Sequence, residues 1–287
     1  MQNRKIIYGI LGALLVIVLI LGFIIHFLNQ NNLQVVFFNV GQGDSILISS
    51  GVNQTLIDGG KSGKILLEKL GKYIPFWDRK IEVVISTHPD SDHIGGLVDV
   101  FKNYKVQTVI RTNTESESQI FAALNSVIKK EDSEVVEAKF GDVINFSDDV
   151  KMKIIFPFSS TLQKVQNTNE TSVVAKLNFG KTNFLFTGDL PVEQESEILN
   201  RGINIESQVL KIGHHGSKYS SSQEFLQKVN PTDTIISVGQ NSYGHPNPEA
   251  LERIRIIGAK ILRTDQVGDI EYDCKIETGN CQRKILR

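Results

Sequence analysis

Ser86-Thr87-His88-Pro89-Asp90-Ser91-Asp92-His93-Ile94-Gly95-Gly96 follows directly on the apolar run Ile81-Glu82-Val83-Val84-Ile85. Four potential metal ligands, His88, Asp90, Asp92 and His93, fall within six residues. An apolar strand that ends in His-x-Asp-x-Asp-His brings these imidazoles and carboxylates together at its C-terminal tip. Neighbouring carboxylates repel unless a cation lies between them. The stretch therefore points to a metal site, against the alternative of a solvated acidic loop with two incidental histidines. Gly95 and Gly96 allow close backbone approach, and Ile94, Leu97 and Val98 suit the start of a packed helix.

Outward from this stretch the same pattern recurs. Gly41-Gln42-Gly43-Asp44, Asp58-Gly59-Gly60, Thr187-Gly188-Asp189 and Gly213-His214-His215-Gly216 each follow an apolar run, always with glycine. Polar, metal-capable residues thus gather at strand ends, which predicts one shared site along one edge of the sheets. Strands are expected at Val35 to Val40, Ser45 to Ile48, Thr55 to Ile57, Val106 to Ile110 and Met152 to Phe156. Further strands follow at Val173 to Leu177, Phe184 to Phe186, Gln208 to Ile212, Thr234 to Val238, Lys260 to Leu262 and Ile270 to Ile276. Helical spacing is seen at Ile65 to Leu70, Gln119 to Lys130, Val192 to Leu199, Ser222 to Val229 and Glu249 to Ile257. Such alternation argues for an α/β (α+β) body of sheets covered by helices on their outer faces.

The order of motifs resembles the metallo-β-lactamase superfamily, and within it the C-terminal hydrolase domain of ComEC-type DNA-uptake (competence) proteins. The resemblance runs through Phe38 to Ser45, Leu56 to Gly60, Thr87 to Gly96, Asn169 to Val174 and Phe186 to Asp189. It continues through Lys211 to Ser217, Tyr243 to Pro246 and Arg263 to Asp265. It implies a four-layer αββα sandwich over residues 33–287 and a site for two divalent metal ions. His88 and Asp90 would serve the first ion, Asp92 and His93 the second, with Asp189 bridging them. One of His214 and His215 would be a further ligand of the second ion, the other a hydrogen-bonding or substrate-facing group. Asp58 would orient a ligand, although a turn aspartate before Gly-Gly reads the same way.

Two departures from the family pattern bear on the metal. Asp90 stands where the superfamily motif has its second histidine, and no histidine lies between His93 and His214. The first site is therefore rich in oxygen, which moves its preference toward Mn²⁺ or Mg²⁺, while the affinity order still favours Zn²⁺. The resemblance implies a metal-activated water as nucleophile, with Asp92 and Asp189 able to orient it. His245 is the candidate for protonating a leaving group or binding a phosphate oxygen, or else a structural histidine before Pro246. Asp44, Asn169 and Ser217 are candidate supporting or substrate-contacting residues. The glycines around Gln42 suit a phosphate cradle or a tight turn equally well. Lys218 reads as a solvated charge.

Ile6 to Leu28 contains no Asp, Glu, Lys or Arg. As a helix it would extend about 35 Å, enough to cross a hydrocarbon core. No Ala-x-Ala-like cleavage site follows, so an uncleaved anchor is expected rather than a signal peptide. Arg4 and Lys5 precede it, and no cation follows between Asn29 and Asn39. The expected arrangement is a cytoplasmic N-terminus (1–5), a transmembrane anchor (6–28), a linker (29–32) and an extracytoplasmic hydrolase domain (33–287). Cys274 and Cys281 flank a hairpin-like segment; a disulfide there would suit an oxidising exterior, two free thiols being the alternative.

With 31 Lys and Arg against 32 Asp and Glu, the net charge is −1. No general basic excess supports phosphate contacts, so nucleic-acid binding must rest on a local groove or on the metals. The expected function is a membrane-anchored phosphodiesterase acting on DNA or RNA, with no organic cofactor and with a separate channel protein as a potential partner. The alternatives are a phosphoesterase for a cell-envelope polymer or lipid head group, and a non-catalytic metal-containing binding module.

Overall fold

The computed structural model describes residues 2–29, 32–146, 150–158, 165 and 167–286. Met1, Arg287, and Gln30 and Asn31 of the expected linker lie outside the described residues. Helix α1 (Gln2–Asn29) is exposed along Arg4–Gly22, where its mean hydropathy is 2.5. By length and composition it can cross a membrane.

The first half of the body builds β1 (Asn32–Phe37), β2 (Ile46–Ser50), β3 (Asn53–Ile57), α2 (Gly63–Tyr73) and β4 (Lys80–Ser86). It continues with α3 (Ser91–Ile94), α4 (Leu97–Asn103), β5 (Lys105–Arg111), α5 (Gln119–Glu131) and β6 (Glu134–Glu137). The second half builds β7 (Val143–Asn145), β8 (Val150–Phe156), β9 (Val174–Phe179), β10 (Thr182–Phe186), α6 (Val192–Asn200) and β11 (Val209–Lys211). There follow α7 (Gln223–Val229), β12 (Asp233–Ile236), α8 (Pro248–Ile256), β13 (Lys260–Arg263) and α9 (Thr264–Val267). The tail, β14 (Asp269–Lys275) and β15 (Asn280–Leu286), returns to the first sheet. That sheet has the order β15-β14-β1-β2-β3-β4-β5-β6, and the second β13-β12-β11-β10-β9-β8-β7.

The period-2 alternation of each strand sorts its apolar residues into layers. Val35, Phe37, Ile46, Ile48 and Ile57 face Met152, Ile154, Leu177, Phe184 and Phe186 between the sheets. Val36, Leu47, Leu56 and Val84 point outward beneath Leu66, Leu70, Val100, Leu124 and Ile128 of α2, α4 and α5. On the far side Val174, Leu185, Leu210 and Ile236 lie under Ile198, Phe225, Leu226 and Ile254 of α6, α7 and α8. The result is the four-layer αββα sandwich with one apolar helix ahead of it.

Most expected elements occupy their places, with shifts that have local causes. The first strand covers Asn32–Phe37 rather than Val35 to Val40. Pairing with β14 begins at Asn32 opposite Lys275, and the chain leaves the ladder when the Asn39 N–H turns to Asp269 Oδ1 (2.8 Å). Edge strands β6 and β7 carry no fully buried residue, so they lack the apolar alternation that would announce them. Cys274 and Cys281 stand opposite one another on β14 and β15 and form a disulfide.

Strand polarity sets up everything that follows. β1, β3, β4 and β5 run in one direction, as do β10, β11 and β12 in the second sheet. Their C-terminal ends share one edge of the sandwich, where all five glycine-accompanied motifs emerge. Phe37 ties the sheets together, its ring 6.0 Å from Phe186 of the second sheet and 6.1 Å from Tyr272 of its own. Phe37→Ala should therefore cost about 3–5 kcal/mol, measured by denaturant titration of the full chain in detergent; a loss below about 1 kcal/mol would contradict this packing.

Candidate metal centre

After β3 the chain turns sharply at Asp58, which adopts a left-handed backbone (φ 56°). The turn aims its carboxylate back at the end of β4. Oδ1 accepts the Thr87 N–H (2.8 Å), and Oδ2 accepts both the Thr87 hydroxyl (2.6 Å) and His93 Nδ1–H (2.8 Å). With its proton committed to Asp58, Thr87 Oγ1 offers a lone pair to His88 Nδ1–H at 3.0 Å. His215 Nδ1–H donates to the Ser237 carbonyl (2.8 Å). Each imidazole thus spends Nδ1 on the protein, which fixes its tautomer and leaves Nε2 bare.

The Nε2 atoms of His88, His93 and His215 are buried and have no hydrogen-bond partner. Three orphaned nitrogens in one place would be costly unless something else binds them. Carboxylates surround them: Asp189 Oδ2 lies 3.3 Å from His93 Nε2 and 3.3 Å from His215 Nε2, and Asp92 Oδ2 lies 3.4 Å from His215 Nε2. Asp90 Oδ2 is 3.7 Å from His88 Nε2. Ligand atoms of His88, His93 and Asp189 fall within 4.8 Å of one another, as do those of Asp92, His93 and His215. The donor set fits divalent cations, with His93 common to both groups.

Asp44 also joins such groups with Asp189 and His215, or with Asp58 and His93. A protein cation already fills that side. Lys211, wholly buried at the end of β11, is ion-paired to Asp44, lies 3.3 Å from Asp189 Oδ1 and donates to the Gly188 carbonyl (2.7 Å). Asp189 therefore turns one oxygen to lysine and the other to the imidazoles. The sequence reading did not single out Lys211. Its signal is a lysine inside the apolar run Val209-Leu210-Lys211-Ile212.

The two adjacent histidines part company. Both have left-handed backbones (φ 49° and 53°), which sends their rings to different sides. His215 is buried in the cluster, whereas the half-open His214 ring stands 3.8 Å from Asp189 Oδ2 and 5.4 Å from the His245 ring. His214 and His245 line a surface hollow with Gln42, Asp90, Asp92, Asp189 and Tyr243. Asn169, in the 3-10 turn Thr168–Thr171, places Nδ2 3.4 Å from His214 Nδ1. Its neighbour Thr168 donates to Asp90 Oδ1 (2.5 Å). Ser172 Oγ accepts the Asp189 N–H (3.1 Å). Ser217 is buried and accepts the Tyr219 N–H (3.3 Å), a loop-shaping contact outside the hollow. The Gly43 conformation (φ 125°) brings its backbone against the Asp92 carbonyl, where any Cβ would lie 2.1 Å away. Close packing of the Gly43 loop against the loop that carries Asp92 thus accounts for this glycine.

Electrostatics without a metal place protons where cations belong. Burial opposes charge on His93, yet Asp189 and Asp58 outweigh it and hold the imidazolium well above its ordinary range. His215 is likewise carried up to about 9 against burial, by Asp189, Asp92 and Asp44. Burial and the adjacent His93 charge push His88 far down. Burial would raise Asp189, but His215, His93 and Lys211 overcome it and keep the carboxyl well below the usual range.

Comparison with known proteins gives the family and the fold. A family model described as the metallo-beta-lactamase superfamily matches residues 38–240. ComE operon protein 3 of Bacillus subtilis (strain 168) is 33% identical over 93% of this chain and 36% of its own length. Competence protein ComA of Neisseria gonorrhoeae is 28% identical over 85% of this chain and 32% of its own. The chain spans about a third of the length of these relatives. Among solved structures, the metallo-beta-lactamase fold protein YhfI from Bacillus subtilis aligns with a TM-score of 0.56 at 12% identity. That alignment covers 83% of this chain and 99% of YhfI, a likeness of fold.

Two outcomes follow from the charge arrangement. Lys211→Met leaves Asp44 and Asp189 buried with their lysine removed. It should destabilise the metal-free protein by about 3–5 kcal/mol in denaturant titration; a change under about 1 kcal/mol would refute the pairing. The raised His215 value means that its charge stabilises the metal-free fold fully below the ordinary 6.5, a contribution lost as pH rises through about 9. A divalent ion must displace that proton and the one on His93, so its affinity should rise with pH through about 9. Calorimetry in buffers of different ionisation enthalpy should register proton release near neutrality; none would count against the assignment.

Proposed function

Since the chain belongs to the metallo-β-lactamase superfamily and carries that hydrolase fold, we propose that it is a membrane-anchored, metal-dependent phosphodiesterase acting on DNA or RNA. The observation that carries this reading is the convergence of the bare Nε2 atoms of His88, His93 and His215 on Asp90, Asp92 and Asp189, beside an open hollow. Two divalent ions suit the donor set: His88, Asp90 and Asp189 would hold one, and Asp92, His93, Asp189 and His215 the other. Oxygen-rich ligation around Asp90 favours Mn²⁺ or Mg²⁺ there, and the imidazoles of the other group favour Zn²⁺ or Mn²⁺. When bound, the ions would supply Lewis acidity toward a phosphoryl oxygen and acidify a water nucleophile.

The chain's own groups do the rest. Asp92 and Asp189 accept hydrogen bonds from the attacking water and orient it. Asp58, Thr87 and Ser237 keep the imidazoles in the ligating tautomer. His214 and His245 stand at the mouth, where an imidazole can hold a phosphate oxygen and pass a proton to the departing one. Burial and the neighbouring His214 and His215 imidazoles lower His245, so the ring carries its proton chiefly on the acid side of neutrality.

A nucleic-acid substrate is supported by the similarity to competence proteins. Anchoring is supported by α1, outward orientation by Arg4 and Lys5 ahead of it, and an oxidising surrounding by the Cys274–Cys281 disulfide. One observation favours a cell-envelope phosphoester instead: the hollow contains no lysine or arginine among its described lining residues.

The test is the full chain in detergent, stripped of metal and reloaded with Mn²⁺, Zn²⁺ or Mg²⁺. Single- and double-stranded DNA, RNA and bis-(p-nitrophenyl) phosphate are the substrates. Metal-dependent nucleic-acid cleavage is expected, lost on chelation and in Asp189→Ala. His245→Asn should retain metal content and lower kcat about 10²-fold or more. Cleavage of the small diester alone would favour the envelope phosphoester, and binding without turnover a non-catalytic module.

A further inference from the structure

The edge of the sandwich opposite the metal cluster exposes apolar groups that no described residue covers. Phe76 and Trp77 are 79% and 74% exposed, and Val52, at the tip of the β2–β3 hairpin, is 56% exposed. The two rings are not loose. They meet edge to face at 4.9 Å, in a loop whose ends are held by the structure. Ile74, buried, donates its N–H to Leu70 O (2.8 Å) and closes α2. The Asp78 N–H returns to Pro75 O (2.8 Å), Asp78 Oδ1 accepts the Lys80 N–H (3.1 Å), and the Arg79 guanidinium lies over the Tyr104 ring. An organised aromatic tip therefore projects from a fixed base.

Its position follows from strand polarity. β1, β3 and β4 all start at this edge and end at the metal cluster, so Asn32, Asn53 and Lys80 share the edge with loop 74–79. Asn32, Gly51 and Pro75 line one surface hollow. Asn32 is also where the chain enters from α1, which ends at Asn29. Whatever path the two intervening residues take, three Cα–Cα steps reach at most about 11 Å. The aromatic edge is thus tethered close to the end of the apolar helix. Lys105, opposite Lys80 on β5, and Lys275, opposite Asn32 on β14, add cations at this edge. Cations near a bilayer surface favour anionic head groups.

We infer that Phe76 and Trp77, with Val52, insert into the head-group zone of the bilayer that α1 crosses. Aromatic rings with an apolar body and a polar handle concentrate in that zone. The loop gives the body a second foothold beside the helix. It turns the metal cluster away from the membrane by the length of the strands, roughly 20 Å for a six-residue strand. The inference rests on the reading of α1 as a membrane span.

Trp77 is the only tryptophan in the chain, so its emission reports on this loop alone. The full chain would be reconstituted into phosphatidylcholine–phosphatidylglycerol vesicles, with flotation to score anchoring. Emission would then be compared in the floated fraction with and without brominated acyl chains, and with acrylamide in the water. Expected are flotation, a loss of emission to the brominated lipid for a ring at interfacial depth, and poor access for acrylamide. Phe76→Ser should weaken the lipid quenching and leave flotation unchanged. Flotation with Trp77 unquenched by lipid and open to acrylamide overturns the inference while the anchor stands, and leaves a protein partner for the patch. Failure to float removes the anchor reading and this inference with it.

Discussion

Buried carboxylates must be compensated, and in this molecule the compensation joins the two sheets. Asp44, Asp58 and Asp189 are almost wholly removed from water. Leaving such charges alone would cost several kcal/mol each. Lys211 at the end of β11 reaches across to Asp44 on the loop after β1, and Asp189 after β10 faces His93 after β4. His215 of the second half likewise faces Asp92 of the first. The ionic cluster therefore closes one edge of the sandwich over an apolar interior. Asp58 finds its partners, Thr87 and His93, within its own half, while Asp44 and Asp189 each draw on the other half as well.

The same constraint explains the backbone around the cluster. Carboxylates and imidazoles from separate loops come into contact only if the loops approach at backbone distance. Gly43 lies against Asp92 in this way, and Gly96 lies against Gly59, where a Cβ would meet the Gly59 carbonyl at 2.0 Å. Left-handed conformations at Asp58, His214 and His215 are uncommon for residues with side chains, and strain of that kind persists where surroundings enforce it. Here it aims Asp58 at two partners and separates the two histidines into one buried ring and one at the mouth.

A single strand direction gives the molecule two chemically different ends. C-terminal ends collect charge, orphaned nitrogens and an open hollow. N-terminal ends collect the tether to α1 and the exposed aromatic pair. About 20 Å of sheet separates them. The metal-capable cluster and the entry of the chain from α1 thus lie at opposite ends of the same strands.

Much of this was legible in the residues. Period-2 runs disclosed the strands because each is buried on at least one face, and glycine-accompanied polar clusters after them disclosed a common edge. His88 to His93 could be marked because their spacing carries local chemistry, whereas Asp58 and Asp189 stood out as acids beside glycine at strand ends, their roles implied by the family resemblance. Edge strands β6 and β7 could not, since strands without a buried face leave no pattern. The division of labour between His214 and His215 was also hidden. It depends on two left-handed residues and on Ser237, whose carbonyl arrives from another strand end. Lys211 shows the difference most clearly. The chain by itself determined that a lysine would sit in an apolar strand; only tertiary structure decided that Asp44 and Asp189 would meet it. A buried charge is defined by partners brought from distant parts of the sequence, and no local pattern records them.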